Sequence, residues 1–276
     1  MNEQEFLQAY DLSKYDRPSL TADVAIFAIR RFEPDSYRHE PARELALLLV
    51  RRGQHPFKDC WALPGGFVKR NETVEACAVR EVGEETGVTP SALIPIGSYS
   101  QPGRDPRGWI ISELFASVIR DDARLPVGSD DAAEAGWFSV RFDKNAEDCY
   151  VLSLRNGQTH ISARLRILQT RFGRTELEIL DSGGLAFDHA AMIAEALCAL
   201  RESAGKFEVI FDFLPKRFSL TELQRVQETV MNTAVLPANF RRKIADLVVA
   251  TDETTEGAGH RPALLYERKK TSQVRK

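Results

Sequence analysis

The sequence predicts an α/β fold built on a mixed sheet, followed by a smaller domain of two helices and two strands. Residues 18–30 and 45–50 are mostly apolar, and the second segment is apolar on both faces, which is typical of a central strand. Residues 73–85 carry apolar side chains at helical spacing between two glycine positions. After residue 214, two helical patterns precede two short strand-like segments.

The predicted helix at residues 73–85 has start and stop signals. Asn71 or Thr73 can accept the first free N–H groups of the helix, and Gly87 is the small residue expected just past its last turn. Its apolar side chains recur on one side: Val74, Cys77, Ala78 and Val82. The pattern therefore predicts one amphipathic helix with defined ends.

Three carboxylates of this helix, Glu81, Glu84 and Glu85, stand at i, i+3 and i+4, which places them on one face. Like charges at that spacing repel, so a purely structural helix gains nothing from them. Hard divalent cations take oxygen ligands and are often held by a few carboxylates plus the phosphate oxygens of a substrate. A solvated acidic helix face is the alternative interpretation.

The loop before the helix, residues 64–66, can bring backbone groups close to the same ion, because glycine has no side chain to obstruct them. We predict that the Gly65 backbone is a metal ligand and that Gly66 contacts the bound phosphate compound. Arg80 can fork onto a carboxylate and fix its rotamer.

The whole stretch resembles the Nudix box, the signature of the Nudix hydrolase superfamily, with every fixed position occupied. Those positions are Gly66, Glu72, Arg80, Glu81, Glu84, Glu85 and Gly87. The resemblance implies an α/β/α sandwich, a divalent cofactor (Mg²⁺ or Mn²⁺), and substrates in which a nucleoside diphosphate is linked to another moiety. It further implies that Glu81 and Glu85 are the main metal ligands. Glu84 would be a further ligand or a base acting on water, and Arg80 and Glu72 complete the implied catalytic set.

The composition indicates a globular protein without a membrane segment. Its 276 residues are 43% hydrophobic, enough for the cores of one large or two smaller domains. No apolar run approaches the roughly 20 residues that span a bilayer, and the N-terminus lacks the basic start of a signal peptide. The four cysteines have no CxxC spacing, which argues against a zinc site or a disulfide framework. We therefore expect a cytoplasmic protein with reduced thiols.

A second candidate site element is the segment at residues 101–108, which contains Arg104, Asp105 and Arg107. Arginines supply bidentate donors, so this loop can bind phosphate or ribose beside the acidic helix. A tight turn with a local Arg–Asp pair is the alternative. The segment GRDPRGW and the later DDAAEAGWF are similar to stretches of ADP-ribose-type Nudix proteins, which favours ligand binding.

Short apolar segments predict further strands of the sheet. These strands lie at residues 94–99 and 109–118 and from Gly136, with an acidic loop at residues 121–135. The Asn156-Gly157 dipeptide is a turn signal, so we predict a hairpin inserted at about residues 151–180. His160 lies at this hairpin and is interpreted as structural. Residues 1–17 are expected to be poorly ordered or a short helix.

A strong amphipathic pattern predicts a helix at residues 188–202, with Asp188 or His189 as its cap and Gly205 as its stop. Residues 206–214 look extended, and the helical pattern ends there. We therefore predict two domains, at residues 1–205 and 206–276.

The second domain is basic. Residues 215–276 hold 12 Lys and Arg against 7 Asp and Glu, whereas residues 1–214 hold 25 against 33. A basic domain on an acidic body indicates an anionic partner, and ordinary surface variation is the alternative.

The second domain also has the order helix, helix and two-stranded wing. Ser219 and Glu222 form a capping box that opens a helix running to about residue 232. Pro237 suits the first turn of a second helix, which continues over residues 238–248. Strands at residues 248–251 and 263–268 flank a glycine-rich loop. The order resembles a winged helix-turn-helix domain.

In such a domain the second helix enters the DNA major groove with its N-terminal residues facing base edges. Asn and Arg suit that readout, and wing residues can reach phosphate or the minor groove. The predicted DNA-binding residues are Asn239, Arg241, Arg242 and Lys243 in the helix and His260 and Arg261 in the wing. A small basic protein-interaction domain is the alternative interpretation.

The order of LAFDHA, FSLTELQ, NFRRK and HRPALLY after a Nudix box is similar to that of the Nudix-related transcriptional regulators (NrtR) of bacterial NAD and sugar metabolism. The resemblance implies a homodimeric regulator, nucleoid-associated when bound to a palindromic operator, that responds to ADP-ribose or a related nucleotide. Many such regulators have a damaged Nudix box, whereas this box is complete. An active ADP-ribose pyrophosphatase is therefore the second hypothesis. The preferred nucleotide, the operator and the sign of the ligand effect stay open.

Overall fold

The computed structural model describes residues 1–31, 43–120, 132–145, 149–157, 159–171, 174–255 and 262–269. The helices are α1 (Glu3–Ala9), α2 (Val74–Thr86), α3 (His189–Gly205), α4 (Leu220–Met231) and α5 (Pro237–Ile244). The first strands are β1 (Ser19–Arg31), β2 (Arg43–Arg52), β3 (Trp61–Ala62), β4 (Gly65–Phe67), β5 (Ile94–Tyr99), β6 (Ile110–Val118) and β7 (Ala132–Lys144). The remaining strands are β8 (Cys149–Asn156), β9 (Thr159–Arg171), β10 (Arg174–Asp181), β11 (Phe218–Ser219), β12 (Val248–Thr254) and β13 (Leu264–Arg268).

The main sheet is mixed. Its strand order is β10-β9-β8-β7-β2-β1-β6-β5, with β3 paired to β2 and β4 paired to β1. β1 and β6 run parallel, and the other pairs are antiparallel. The two apolar segments that were predicted as strands are β1 and β2, and both lie in the interior of the sheet.

The sheet is covered by one helix on each face, because its central strands are apolar on both sides. On β1, Val24 and Ile26 belong to the core formed with α2, whereas Ala25 and Phe27 belong to the core formed with α3. β2 alternates in the same way, with Leu48 on the α2 side. This arrangement is the predicted α/β/α sandwich, and the fold prediction is confirmed.

Helix α2 has the predicted ends. The Thr73 hydroxyl accepts a hydrogen bond from the Ala76 N–H group at 3.2 Å, so Thr73 rather than Asn71 is the cap. Gly87 follows the last turn with φ of +67°, a conformation that glycine adopts without steric cost. Cys77, Ala78 and Val82 are fully buried against the sheet.

Two segments of the first domain differ from the prediction. The strand expected from Gly136 begins at Ala132, inside the predicted acidic loop, because Glu134 and Ala135 already pair with β2. The rest of that loop, residues 121–131, lies outside the described residues. The predicted hairpin forms as β8 and β9 and continues into β10, and it extends the main sheet because β8 pairs with β7.

Two predicted segments near the second domain are also corrected. Residues 206–214 are not extended, since Val209–Phe213 forms a 3₁₀ helix that buries four of its five side chains. The second helix of the wing domain ends at Ile244 and not at residue 248, because Val248 already pairs with β13.

The C-terminal segment forms the predicted winged helix arrangement of α4, α5 and a three-stranded sheet of order β11-β13-β12. The Ser219 and Glu222 capping box is present at the start of α4. Leu223 and Val226 of α4 belong to the same hydrophobic core as α3, so the two helical layers share one apolar interior. The boundary at residue 205 stays a prediction. Among the described residues, no helix is long and apolar enough to span a membrane.

Candidate functional site

A cleft of about 390 Å³ lies where α2, the glycine loop, the end of β2, the loop at residues 101–108 and the start of α3 meet. Seven of the predicted site residues line it: Gly65, Gly66, Glu81, Glu85, Arg104, Asp105 and Arg107. The structure therefore brings the predicted acidic helix and the predicted arginine loop to one cavity.

A side chain on either glycine of this loop would meet neighbouring atoms. A Cβ atom on Gly66 would lie 2.6 and 2.7 Å from the two carboxylate oxygens of Glu81. A Cβ atom on Gly65 would lie 2.6 Å from Oδ1 of Asp23. Because these positions carry no side chain, the Gly65 N–H group donates a 2.9 Å hydrogen bond to the Glu85 carboxylate.

Arg80 binds three carboxylates, one before α2 and two on it. Its guanidinium donates to Glu72 and Glu81 at 2.6 Å and to Glu84 at 3.0 Å. The hydrogen bonds from Arg80 hold the pKa of Glu72 at about 2. The Glu84 side chain is 56% exposed and lies outside the cleft lining, and so does Glu72. Of the predicted catalytic residues, Arg80 thus contacts a cleft carboxylate, whereas Glu84 faces solvent.

Glu85 faces the cleft and is desolvated. Burial, together with the nearby charges of Glu81 and Asp23, raises the pKa of Glu85 to about 8. A cation bound beside Glu85 would offset both effects, because it would favour the charged carboxylate.

The donor set fits a hard divalent cation. Glu81 and Glu85 offer carboxylate oxygens beside the backbone of Gly65, and oxygen donors are those that Mg²⁺ and Mn²⁺ prefer. Among the described residues, no three His, Cys, Asp or Glu side chains form a ready-made metal-ligand group. The Glu81 carboxylate is paired with Arg80 at 2.6 Å.

Two arginines of the 101–108 loop are already paired with carboxylates. Arg104 donates two hydrogen bonds to Asp188, at 2.6 and 2.8 Å, and Arg107 binds Asp105 at 2.7 Å. The local Arg–Asp pair that sequence offered as the alternative therefore exists, inside a loop that does line the cleft. It also explains why Asp188 does not cap α3, since its carboxylate is turned toward Arg104.

Arg52 is a third cleft arginine, and it was not among the predicted site residues. Its Nε atom donates to the Pro56 carbonyl at 2.8 Å, and its guanidinium lies 4.9 Å from the centre of the Phe187 ring. Within the described part of the chain it has no carboxylate within ion-pair distance. Burial and the nearby Arg107 lower the pKa of Arg52, as expected for a guanidinium whose positive charge is not fully compensated.

Two phenylalanine side chains also line the cleft. Phe187 is held at φ of +51°, an uncommon conformation for an aromatic residue, and Phe67 comes from the glycine loop. Arg107 lies 5.0 Å from the Phe67 ring and 5.4 Å from the Phe187 ring. Neither phenylalanine had a recognisable sequence signal beyond its position beside a motif.

His189 and Asp23 form the floor of the cleft. The Nδ1 atom of His189 accepts a 2.9 Å hydrogen bond from the Leu63 N–H group, so a neutral imidazole carries its proton on Nε2. That atom lies 3.9 Å from Oδ1 of Asp23, whose other oxygen accepts from the Ser112 hydroxyl. Burial lowers the pKa of His189 and keeps it neutral. A signal for Asp23 was available, since it is the one acid in the apolar stretch TADVAIFAI.

The candidate DNA-binding face lies on α5. Asn239, Arg241, Arg242 and Lys243 are all exposed, while Phe240 and Ile244 are buried on the opposite side. Arg242 donates to the Asn239 side chain at 3.3 Å. The predicted wing residues His260 and Arg261 lie outside the described residues.

Replacing Gly66 by alanine tests whether the glycine loop sets the position of Glu81. The added Cβ would overlap the Glu81 carboxylate, so we expect Gly66→Ala to weaken Mn²⁺ binding at least about tenfold, measured by isothermal titration calorimetry. Gly83→Ala is the matched control, because a Cβ at that position in α2 meets nothing within 4 Å. Equal Mn²⁺ affinity in both variants would contradict this assignment.

Comparison with known proteins supports both parts of the chain. The NUDIX domain family matches residues 27–144, and the NrtR DNA-binding winged helix domain family matches residues 210–267. An ADPR responsive transcriptional repressor NtrR from Acinetobacter baylyi is 28% identical over 96% of this chain and 88% of its own length. An ADP-ribose pyrophosphatase from Methanocaldococcus jannaschii is 48% identical over 50% of this chain and 73% of its own length.

A solved structure supports the same arrangement of two domains. NrtR of Shewanella oneidensis complexed with a 27mer DNA matches with a TM-score of 0.58 and 26% identity, covering 91% of this chain and 93% of that one. The chain therefore belongs to the Nudix family, and its NrtR-type winged helix domain places it among the Nudix-related transcriptional regulators.

Proposed function

We propose that this protein is a transcriptional regulator whose winged helix domain binds operator DNA under the control of ADP-ribose, or a related nucleoside diphosphate, bound in the Nudix cleft. The main observation in support is that one chain combines a ligand-sized cleft with a winged helix domain and that the two share one hydrophobic core. A cleft with an acidic and a cationic wall lies in the Nudix body, and α5 presents four polar or basic side chains outward. The A. baylyi relative, which matches across both domains, is described as responsive to ADP-ribose.

The cleft suits a diphosphate that is bridged to a metal ion. Glu81, Glu85 and the Gly65 backbone would hold Mg²⁺ or Mn²⁺ on one wall. That cation would neutralise part of the diphosphate charge and polarise it when bound. Arg52 also lines the cleft and supplies positive charge, and among the described residues it has no carboxylate within ion-pair distance.

The two loop arginines act differently from Arg52 in this proposal. Arg104 and Arg107 form ion pairs with Asp188 and Asp105, so they shape the cleft and hold its loops together. Arg107 also offers its guanidinium plane between two phenylalanine rings, a surface suited to flat groups such as a nucleobase. Arg52 is the better candidate for direct contact with phosphate.

Operator recognition is assigned to α5 and the wing. Buried Phe240 and Ile244 fix the helix on the domain and direct Asn239, Arg241, Arg242 and Lys243 to solvent. These residue types form bidentate contacts with adenine or guanine and with phosphates. His260 and Arg261 stay predicted DNA-binding residues from the sequence.

We also propose that the protein acts as a homodimer in the bacterial cytoplasm, on the nucleoid when bound to DNA. Dimeric winged helix proteins read palindromes because each subunit contacts one half-site. The N-terminal segment offers a surface for a second copy, since Phe6, Leu7, Tyr10, Leu12 and Tyr15 are all exposed.

Operator binding is tested on duplex DNA from the region upstream of the protein's own gene. We expect Arg241→Ala combined with Arg242→Ala to weaken binding at least about tenfold and to reduce its salt dependence, because phosphate and base contacts are lost. Fluorescence anisotropy at several salt concentrations measures both effects. Arg164→Ala combined with Arg166→Ala removes the same charge from the exposed face of β9 and serves as the control. The regulator assignment fails if wild-type protein shows no salt-sensitive binding or if the two double variants bind alike.

Ligand contact by Arg52 is tested through ADP-ribose affinity. Arg52→Met keeps an apolar stem against Phe187 but removes the charged hydrogen-bond donors. We expect a loss of about 10- to 100-fold in affinity, the usual range for a hydrogen bond to a charged group. Calorimetry measures the loss, and Arg166→Met on the exposed surface should bind as wild type. If Arg52→Met keeps full affinity while Arg107→Met loses it, the phosphate contact belongs to the 101–108 loop.

An ADP-ribose pyrophosphatase activity is the second candidate function. The complete Nudix box and the half-buried Glu85 beside Gly65 favour it, because those features are not needed for DNA binding. In this reaction water attacks one phosphorus of the diphosphate, the bridging P–O bond breaks, and AMP and ribose 5-phosphate are released. Glu85 would act there as a metal ligand, and Asp23 is a cleft carboxylate outside the proposed metal-ligand set that we propose as a proton acceptor.

Hydrolysis is measured as AMP release from ADP-ribose with Mg²⁺. We expect Glu85→Gln to lower turnover on the order of 10²-fold or more, whereas Glu75→Gln on the exposed first turn of α2 leaves it unchanged. Absent wild-type turnover, or turnover that survives Glu85→Gln, contradicts a working enzyme at this box and leaves the regulator proposal intact.

A further inference from the structure

The two ends of α3 contact different functional parts of the protein. At its start, the carboxylate of Asp188 accepts two hydrogen bonds from Arg104 of the ligand loop. In the first turn, His189 accepts a hydrogen bond from Leu63 at the entrance to the glycine loop. Both elements that carry the cleft are therefore tied to one end of this helix.

At the other end, Arg201 reaches into the winged helix domain. Its Nη1 atom donates to the Phe142 carbonyl at the end of β7 at 2.8 Å. Its Nε atom donates to the Val230 carbonyl in the last turn of α4 at 3.4 Å. The last carbonyls of a helix have no partner within that helix and carry partial negative charge, so a guanidinium is a fitting cap. Arg201 thus joins the Nudix sheet, α3 and α4 through one half-buried side chain.

Apolar packing and a second polar contact surround Arg201. Leu197 and Leu200 of α3 lie in the same hydrophobic core as Leu223 and Val230 of α4. Asn232, which ends α4 with φ of +51°, donates from its side chain to Asp143 of β7 at 3.3 Å. After Asn232 the chain needs only residues 233–236 to reach α5, the proposed DNA-reading helix.

We propose that α3 couples the nucleotide cleft to the winged helix domain, with Arg201 as the residue that transmits its position. This inference rests on the proposed function. A helix of 17 residues is a rigid rod of about 25 Å, so a displacement at Asp188 or His189 is carried to its far end. Because Arg201 donates to backbone carbonyls on both sides of the junction, α4 follows α3 as long as those bonds persist. Ligand binding that favours one position of α3 then favours one orientation of α5.

The competing possibility is that Arg201 only stabilises the junction. A merely structural arginine would change the unfolding midpoint, but it would not change the ratio of operator affinities with and without ligand. That ratio, the coupling factor, is therefore the decisive readout. By linkage the same factor must appear when ADP-ribose affinity is measured with and without operator.

The experiment compares full-length wild type, Arg201→Met and the control Arg166→Met, all checked for folding by circular dichroism. Methionine retains an apolar stem in the junction and removes both donors. We expect Arg201→Met to bind ADP-ribose alone as wild type does. We expect its coupling factor to fall to about one to two, against the ~5 to 150 typical of allosteric proteins. The Arg166→Met control should keep the wild-type factor.

A folded Arg201→Met protein with the wild-type coupling factor overturns the proposal. If Arg201→Met does not fold, Arg201→Lys decides by the same criterion, because lysine keeps the stem and the positive charge but lacks the planar fork that donates to both carbonyls. A wild-type protein that fails to bind operator or ADP-ribose overturns the proposed function, and the coupling with it.

Discussion

The hydrogen bond from the Gly65 N–H group to the Glu85 carboxylate joins the glycine loop to α2, and the remainder of the cleft is arranged around it. The bond requires the loop to lie against the helix, which in turn requires residues 65 and 66 to lack side chains. The bond by itself lowers the pKa of Glu85, but burial and the nearby charges of Glu81 and Asp23 outweigh it and raise that pKa to about 8. Asp23 and His189 line the same cavity. The bond therefore holds the Glu85 carboxylate beside the Gly65 backbone, where a cation would bind.

Much of the fold could be predicted because it depends on local pattern. The two central strands show apolar residues on both faces, and α2 and α4 have capping residues that the structure uses as expected. The missed boundaries have tertiary causes. Glu134 and Ala135 join a strand because they pair with β2. Val209–Phe213 forms a 3₁₀ helix in which four apolar side chains are buried. Neither cause can be read from the local composition.

The site divides in the same way. Glu81, Glu85, Gly65 and Gly66 were predicted because their spacing along one helix and loop carries the information. Arg52, Asp23 and the pair Phe187 and His189 come from three separated parts of the chain, and only folding brings them together. The ion-pair partners of the loop arginines also could not be predicted from the sequence. Sequence offered Arg104 as a ligand donor, whereas its charge is directed to Asp188, 84 residues away, which ties the ligand loop to α3.

We propose that ADP-ribose bound in the cleft changes the affinity of the protein for operator DNA. A linkage measurement tests this coupling. Operator affinity is measured by anisotropy across a titration of ADP-ribose with Mg²⁺, and ADP-ribose affinity is measured by calorimetry with and without saturating operator. We expect a coupling factor that differs from one and has the same value in both directions. If operator affinity stays constant while calorimetry shows that ADP-ribose is bound, the cleft does not control DNA binding.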